Sequence, residues 1–178
     1  MYNKNPYEST STFIRNLYSL GYSSMRISFY KVNLSLLFQP FEGKNPRTGL
    51  SIYNKRGIMT TVTYEGAAAL WKSCYDIIHG SVETLTLVIP CAAGASLTLE
   101  KKAPGEIFIT INKDNQLIPF KFASQTIKVK ENGVETVKIV ETGLSVFMKV
   151  IDGYLEGTNA DGHLNKLGDD FEQYQEAN

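Results

Sequence analysis

Residues 66–80 read GAAALWKSCYDIIHG. Ala67, Leu70, Trp71, Cys74 and the Ile77/Ile78 pair recur at three- and four-residue intervals, which is the period of one helix face, and Gly80 supplies a stop. A second stretch, from about Leu144 to Leu155, has the same period and registers on the first at an offset of 77 residues. Gly66 falls on Gly143, Lys72 on Lys149 and Gly80 on Gly157. Apolar positions agree as well: Ala67 with Leu144, Leu70 with Phe147, Trp71 with Met148, Cys74 with Ile151 and Ile78 with Leu155. The chain therefore reads as one helical element used twice.

Upstream of each helix the period changes from helical to two. Ile27 and Phe29 alternate with Arg26, Ser28 and Tyr30, and Leu34, Leu36 and Phe38 alternate with Ser35, Leu37 and Gln39. Short strands follow at 50–54 and 58–64, after a turn-rich loop at 42–49. Beyond the first helix, strands are expected at 84–90, 96–102 and 106–112. A long or broken strand region spans 117–130, and Asn132-Gly133 turns the chain into 135–141. Nearer the start, Phe13, Leu17 and Leu20 fall on one side of a short helix expected over Ser9 to Tyr18. The fold class is α+β, with two repeated units of about four antiparallel strands followed by a helix, at 25–80 and 84–157. Residues 1–160 form a single globular domain on this reading, and 161–178 an acidic tail.

A chain of 178 residues with 43% apolar and 20% charged composition can bury a core without disulfides or metals. Cys74 and Cys91 form no C-x-x-C, and His79 and His163 lie far apart, so no metal or cofactor is expected. No nucleophile elbow, zinc-protease motif, phosphate loop or dinucleotide fingerprint is present, and the reading is that of a protein without enzymatic activity. Cys74 reads as a small core residue on the apolar helix face, with a Cys–His nucleophilic pair left open as the alternative. No apolar run is long enough to span a bilayer, so a cytoplasmic protein without membrane contact is expected.

Formal charge is zero, yet it is unevenly spread. Residues 161–178 hold five acids against Lys166 alone, a net of −4, which leaves +4 on residues 1–160. Residues 1–64 contain eight basic residues against Glu8 and Glu42, together with eleven of the twenty aromatics. A basic, aromatic-rich body beside an acidic tail suits an anionic partner such as nucleic acid.

Strands-then-helix units in duplicate resemble the Whirly, PUR and PC4-like group of single-stranded nucleic-acid-binding proteins. The resemblance covers residues 25–157 and rests on element order and duplication. It implies outward-facing sheets over packed helices, binding of unpaired strands on strand surfaces and loops, and assembly into homo-oligomers through the helices. The tail is similar to the acidic tails of bacterial and phage single-stranded DNA-binding proteins. That likeness implies competition for a basic groove and contact with replication proteins, although Phe171 is not terminal here. A solubilising tail, or a third helix carrying Leu164, Leu167 and Phe171, are the alternatives.

The binding residues come from alternation alone. Unpaired strands need cations that follow the phosphates and exposed rings on which bases stack. The polar face of the first unit offers Arg26, Tyr30, Lys31, Phe41, Tyr53, Lys55 and Arg56, and that of the second offers Phe108, Lys121, Lys128 and Lys130. The expected function is single-stranded DNA binding with little sequence preference, in replication or recombination, in a phage. A structural or protein-binding β-rich module, such as a virion component, is the alternative, with lysines that only solvate a sheet and rings that only cover a partner.

Overall fold

One antiparallel sheet precedes the first helix, and a second sheet with a separate hairpin precedes the second. The computed structural model describes the backbone of residues 12–19, 21–30 and 33–157, and their side chains except at 12–14, 29, 30 and 157. Strands β1 (Thr12–Ser19), β2 (Ser23–Tyr30) and β3 (Asn33–Lys44) are hydrogen-bonded in sequence. Along the far edge of β3 lie β5 (Ile58–Val62), from Leu34↔Val62 to Phe38↔Ile58, and β4 (Ser51–Tyr53), from Phe41↔Tyr53 to Lys44↔Ser51. Together these strands form sheet 1, and α1 (Tyr64–His79) follows. Sheet 2 is a four-stranded meander of β6 (Leu85–Pro90), β7 (Ser96–Ala103), β8 (Glu106–Lys113) and β9 (Gln116–Lys121). The hairpin of β10 (Gln125–Glu131) and β11 (Val134–Val140) then forms a sheet of its own before α2 (Thr142–Gly157).

The architecture is thus α+β with antiparallel sheets, as composition and periodicity led us to expect. Two features differ: six strands in two sheets, rather than about four, precede the second helix, and one expected helix is a strand. The segment expected to be a helix over Ser9 to Tyr18 is strand β1 from Thr12 onward, paired with β2 from Thr12↔Phe29 to Ser19↔Ser23; residues 9–11 lie outside the described residues. Phe13 and Leu17 fit either period, and β2 offers β1 a full ladder of backbone partners. A short isolated helix has no comparable gain. Sheet 1 consequently begins before residue 25.

Alternation puts Met25, Ile27, Leu34, Leu36 and Phe38 of sheet 1 into one buried cluster with Leu97, Leu99, Ile107, Ile109 and Ile111 of sheet 2. The helices complete it, packed against each other. Their burial agrees across the offset: Ala67 and Leu144, Leu70 and Phe147, and Cys74 and Ile151 are all fully buried, while Trp71 and Met148 are both partly buried against the same core. Each fully buried Leu, Ile or Phe contributes roughly 1.5–3 kcal/mol.

The matched glycines have a shared cause. A Cβ on Gly66 would lie 2.8 Å from Val62 Cγ1, and one on Gly143 would lie 2.6 Å from the Ala123 backbone nitrogen. Gly66 therefore starts α1 against the end of β5, and Gly143 starts α2 against the connection that follows β9, neither with room for a side chain. Thr63 caps α1 by accepting the Gly66 N–H at 3.2 Å, and the Gly80 N–H closes it on the Asp76 carbonyl at 2.9 Å. Gly143→Ala should lower the unfolding free energy by about 1–3 kcal/mol, because the backbone it meets cannot yield. Gly153→Ala, in open space on the same helix, should raise it by about 0.5–1 kcal/mol. Urea melts of the two variants check this, and equal effects would overturn it.

Candidate nucleic-acid interface

The sheets meet where the β1–β2 turn reaches the outer edge of β9. Ser19 Oγ accepts the Lys121 N–H at 3.0 Å, and Ser23 Oγ donates to the Pro119 carbonyl at 2.7 Å. Two hydroxyls thereby satisfy an edge that would otherwise be open.

On sheet 1, the face opposite Met25 and Ile27 carries Arg26, which is exposed. Beside it Tyr18, Tyr53 and Phe41 form a ring cluster, with centroids 5.6 Å apart for Tyr18–Tyr53 and 5.8 Å for Phe41–Tyr53. Tyr18 is 61% exposed, so one ring of the cluster is open to a ligand. The β4–β5 turn bears Lys55 and Arg56, both exposed, and the Lys55 carbonyl accepts from Gln39 Nε2 at 3.4 Å. Arg56 lines an open depression of about 510 Å³ with Pro40 and Ile58 of sheet 1 and Gln116 and Leu117 of β9.

On sheet 2, Phe108 lies in the face opposite Ile107 and Ile109. Lys102 Nζ is 5.0 Å and Lys121 Nζ 5.9 Å from its ring centroid, and Tyr22 meets it edge-on at 5.6 Å. Tyr22, Lys102 and Phe108, with Thr98, Glu100, Thr110 and Pro119, border an open depression of about 480 Å³. Tyr22 also links the two sheets, since its carbonyl accepts the Phe41 N–H at 3.0 Å. Rings and ammonium groups thus run from Tyr53 and Phe41, past the Tyr22 turn, to Phe108. This is the combination that base stacking and phosphate tracking require.

Of the residues selected from sequence, Arg26, Phe41, Tyr53, Lys55 and Arg56 belong to sheet 1 or its turn, and Phe108 faces Lys121 across the β8–β9 pair. Lys128 and Lys130 are not brought to that face. Both stand on the separate hairpin, where Lys128 Nζ is 3.4 Å from Glu135 Oε1. The side chain of Tyr30, all of Lys31 and the tail at 161–178 lie outside the described residues. Tyr18, Tyr22 and Lys102 were missed. Tyr18 was hidden by the helical reading, and Lys102 by its place at the end of an alternating strand. Tyr22 sits in a turn, where periodicity carries no information.

Cys74 is not poised as a nucleophile. Burial pushes the Cys74 thiol up to about 12, so it stays protonated in the core. His79, at the end of α1, packs against the Tyr75 ring at 4.5 Å. Among the described residues no group of three or more His, Cys, Asp or Glu could hold a metal, and no helix is long and apolar enough to cross a membrane. No protein-family model, curated protein or solved structure matches the chain.

Proposed function

We propose that this chain binds single-stranded nucleic acid with little overall sequence preference, as a Whirly-like binding protein rather than an enzyme. The observation that carries the reading is Phe108, an aromatic ring on an open sheet face with two lysine ammonium groups within 6 Å of its centroid and a tyrosine at its edge. The two helices, each preceded by antiparallel strands and matched in burial at an offset of 77 residues, support the same reading. DNA replication or recombination, in a phage, is the setting proposed for such a binder.

The test is a titration of a fluorescent single-stranded oligonucleotide beside its duplex at several salt concentrations. We expect tighter binding of the single strand and steep weakening with salt, at about 0.7 log units per log unit of salt for each phosphate neutralised. Absence of binding at low salt would overturn the reading. It would favour the alternative of a structural or protein-binding module, whose supporting observation is the hairpin, with Val134 and Val137 more than 60% exposed.

Self-association through the helices is part of the proposal. Tyr75 remains 42% exposed while stacked on Trp71 at 5.4 Å, an aromatic surface suited to a second copy of the chain. Light scattering that reported only monomers at micromolar concentration would remove this part and leave strand binding untouched.

A further inference from the structure

One acid stands among the cations around the sheet 2 depression. Glu100 is directly opposite Phe108 in the β7–β8 register, so the carboxylate and the ring share a face. Directly paired side chains have Cβ atoms about 4.5–5.5 Å apart, which brings the edge of a base laid on Phe108 within reach of Glu100. The side chain of Glu100 is 35% exposed, and its Oε1 lies 3.5 Å from Lys102 Nζ. A carboxylate on a surface that follows phosphates opposes binding by simple charge. Its position beside the stacking ring instead matches a role in reading the base.

The four bases present different edges to a carboxylate. Guanine offers two parallel donors, N1–H and the 2-amino group, which a carboxylate can accept together as a fork. Cytosine and adenine offer one amino group beside a ring-nitrogen acceptor. Thymine and uracil offer one N–H between two carbonyl oxygens, which repel the carboxylate. In a duplex these edges are paired, so only an unpaired strand presents them. The depression, at about 480 Å³, is within the size range of small-ligand sites.

We infer that the Phe108 depression is a guanine subsite for unpaired strands, with Glu100 as the residue that determines its preference. The inference rests on the single-strand-binding reading of this face and adds a base preference at one position to a strand grip that is otherwise indifferent to sequence. Phe108 stacks the purine, Glu100 accepts from its Watson–Crick edge, and Lys102 and Lys121 meet the neighbouring phosphates.

The experiment compares an all-thymidine oligonucleotide with one of equal length in which isolated guanosines are spaced among the thymidines, by fluorescence anisotropy. The unmodified protein should bind the guanosine-bearing strand at least about fivefold more tightly. Glu100→Gln, and independently Glu100→Ala, should abolish that difference while binding the all-thymidine strand no more weakly than the unmodified protein does. That retained affinity shows that each variant is folded. Deoxyinosine, which lacks the 2-amino group, should restore only part of the preference when it replaces guanosine. Equal affinity of the unmodified protein for both strands, or a preference that survives both substitutions, would overturn the guanine subsite alone. Failure of the unmodified protein to bind either strand would overturn the single-strand reading with it.

Discussion

Phe147→Ala should lower the unfolding free energy by about 3–5 kcal/mol, and Leu70→Ala, at the matching position of α1, by about 2–5 kcal/mol. Phe147 is fully buried, with its ring 5.2 Å from that of Phe122, which in turn lies 5.2 Å from Phe120 in β9. This ladder of rings fastens α2 to sheet 2. Truncation at Phe147 removes the helix end of that ladder and leaves a cavity between α2 and Phe122. Because Leu70 and Phe147 belong to one buried cluster with both sheets, their loss should be felt by the whole molecule. Urea unfolding followed by fluorescence and by circular dichroism should therefore show one transition for each variant, with a lower midpoint and an unchanged slope. A protein of this size has about 5–15 kcal/mol in total, so either change takes a large share. Two separate transitions, or a loss below about 1 kcal/mol at Phe147, would mean that the two halves of the chain hold independent cores.

The sequence was most informative where burial imposes a period. Ile107, Ile109 and Ile111, or Leu34, Leu36 and Phe38, alternate because one side of each strand meets the core, and the helices share a period because each buries one face in the same cluster. It was least informative where the decisive contact lies between distant segments. Thr12 to Ser19 forms a strand because β2 is available to pair with it, and nothing within those eight residues records the presence of β2. Tyr22 reaches Phe108 because two serine hydroxyls hold the β1–β2 turn against β9, a contact across about a hundred residues that leaves no periodic trace. The region at 117–130 reads as one interrupted strand, yet the chain leaves sheet 2 after Lys121 and returns as a hairpin. That departure is why Lys121 stands beside Phe108 and Lys128 does not.

Phe108→Ala should weaken single-strand binding by about 1–3 kcal/mol, roughly 5- to 150-fold, with little change in thermal stability. The ring is half-buried on the outer face, so its loss removes a stacking surface without opening the core. Stacking involves no counterion release, and the plot of log affinity against log salt should shift down with its slope unchanged. Lys102→Ala and Lys121→Ala should act differently. Each removes one ammonium group from beside the ring and should reduce the slope by about 0.7, with the largest effect on affinity at low salt. The ring and the lysines thus separate into a salt-independent and a salt-dependent part of one site. Phe108→Tyr should keep most of the affinity, because a phenol presents the same stacking face. If Phe108→Ala binds as well as the unmodified protein while Tyr53→Ala does not, the strand follows the Tyr18, Phe41 and Tyr53 cluster on sheet 1 and bypasses the depression on sheet 2.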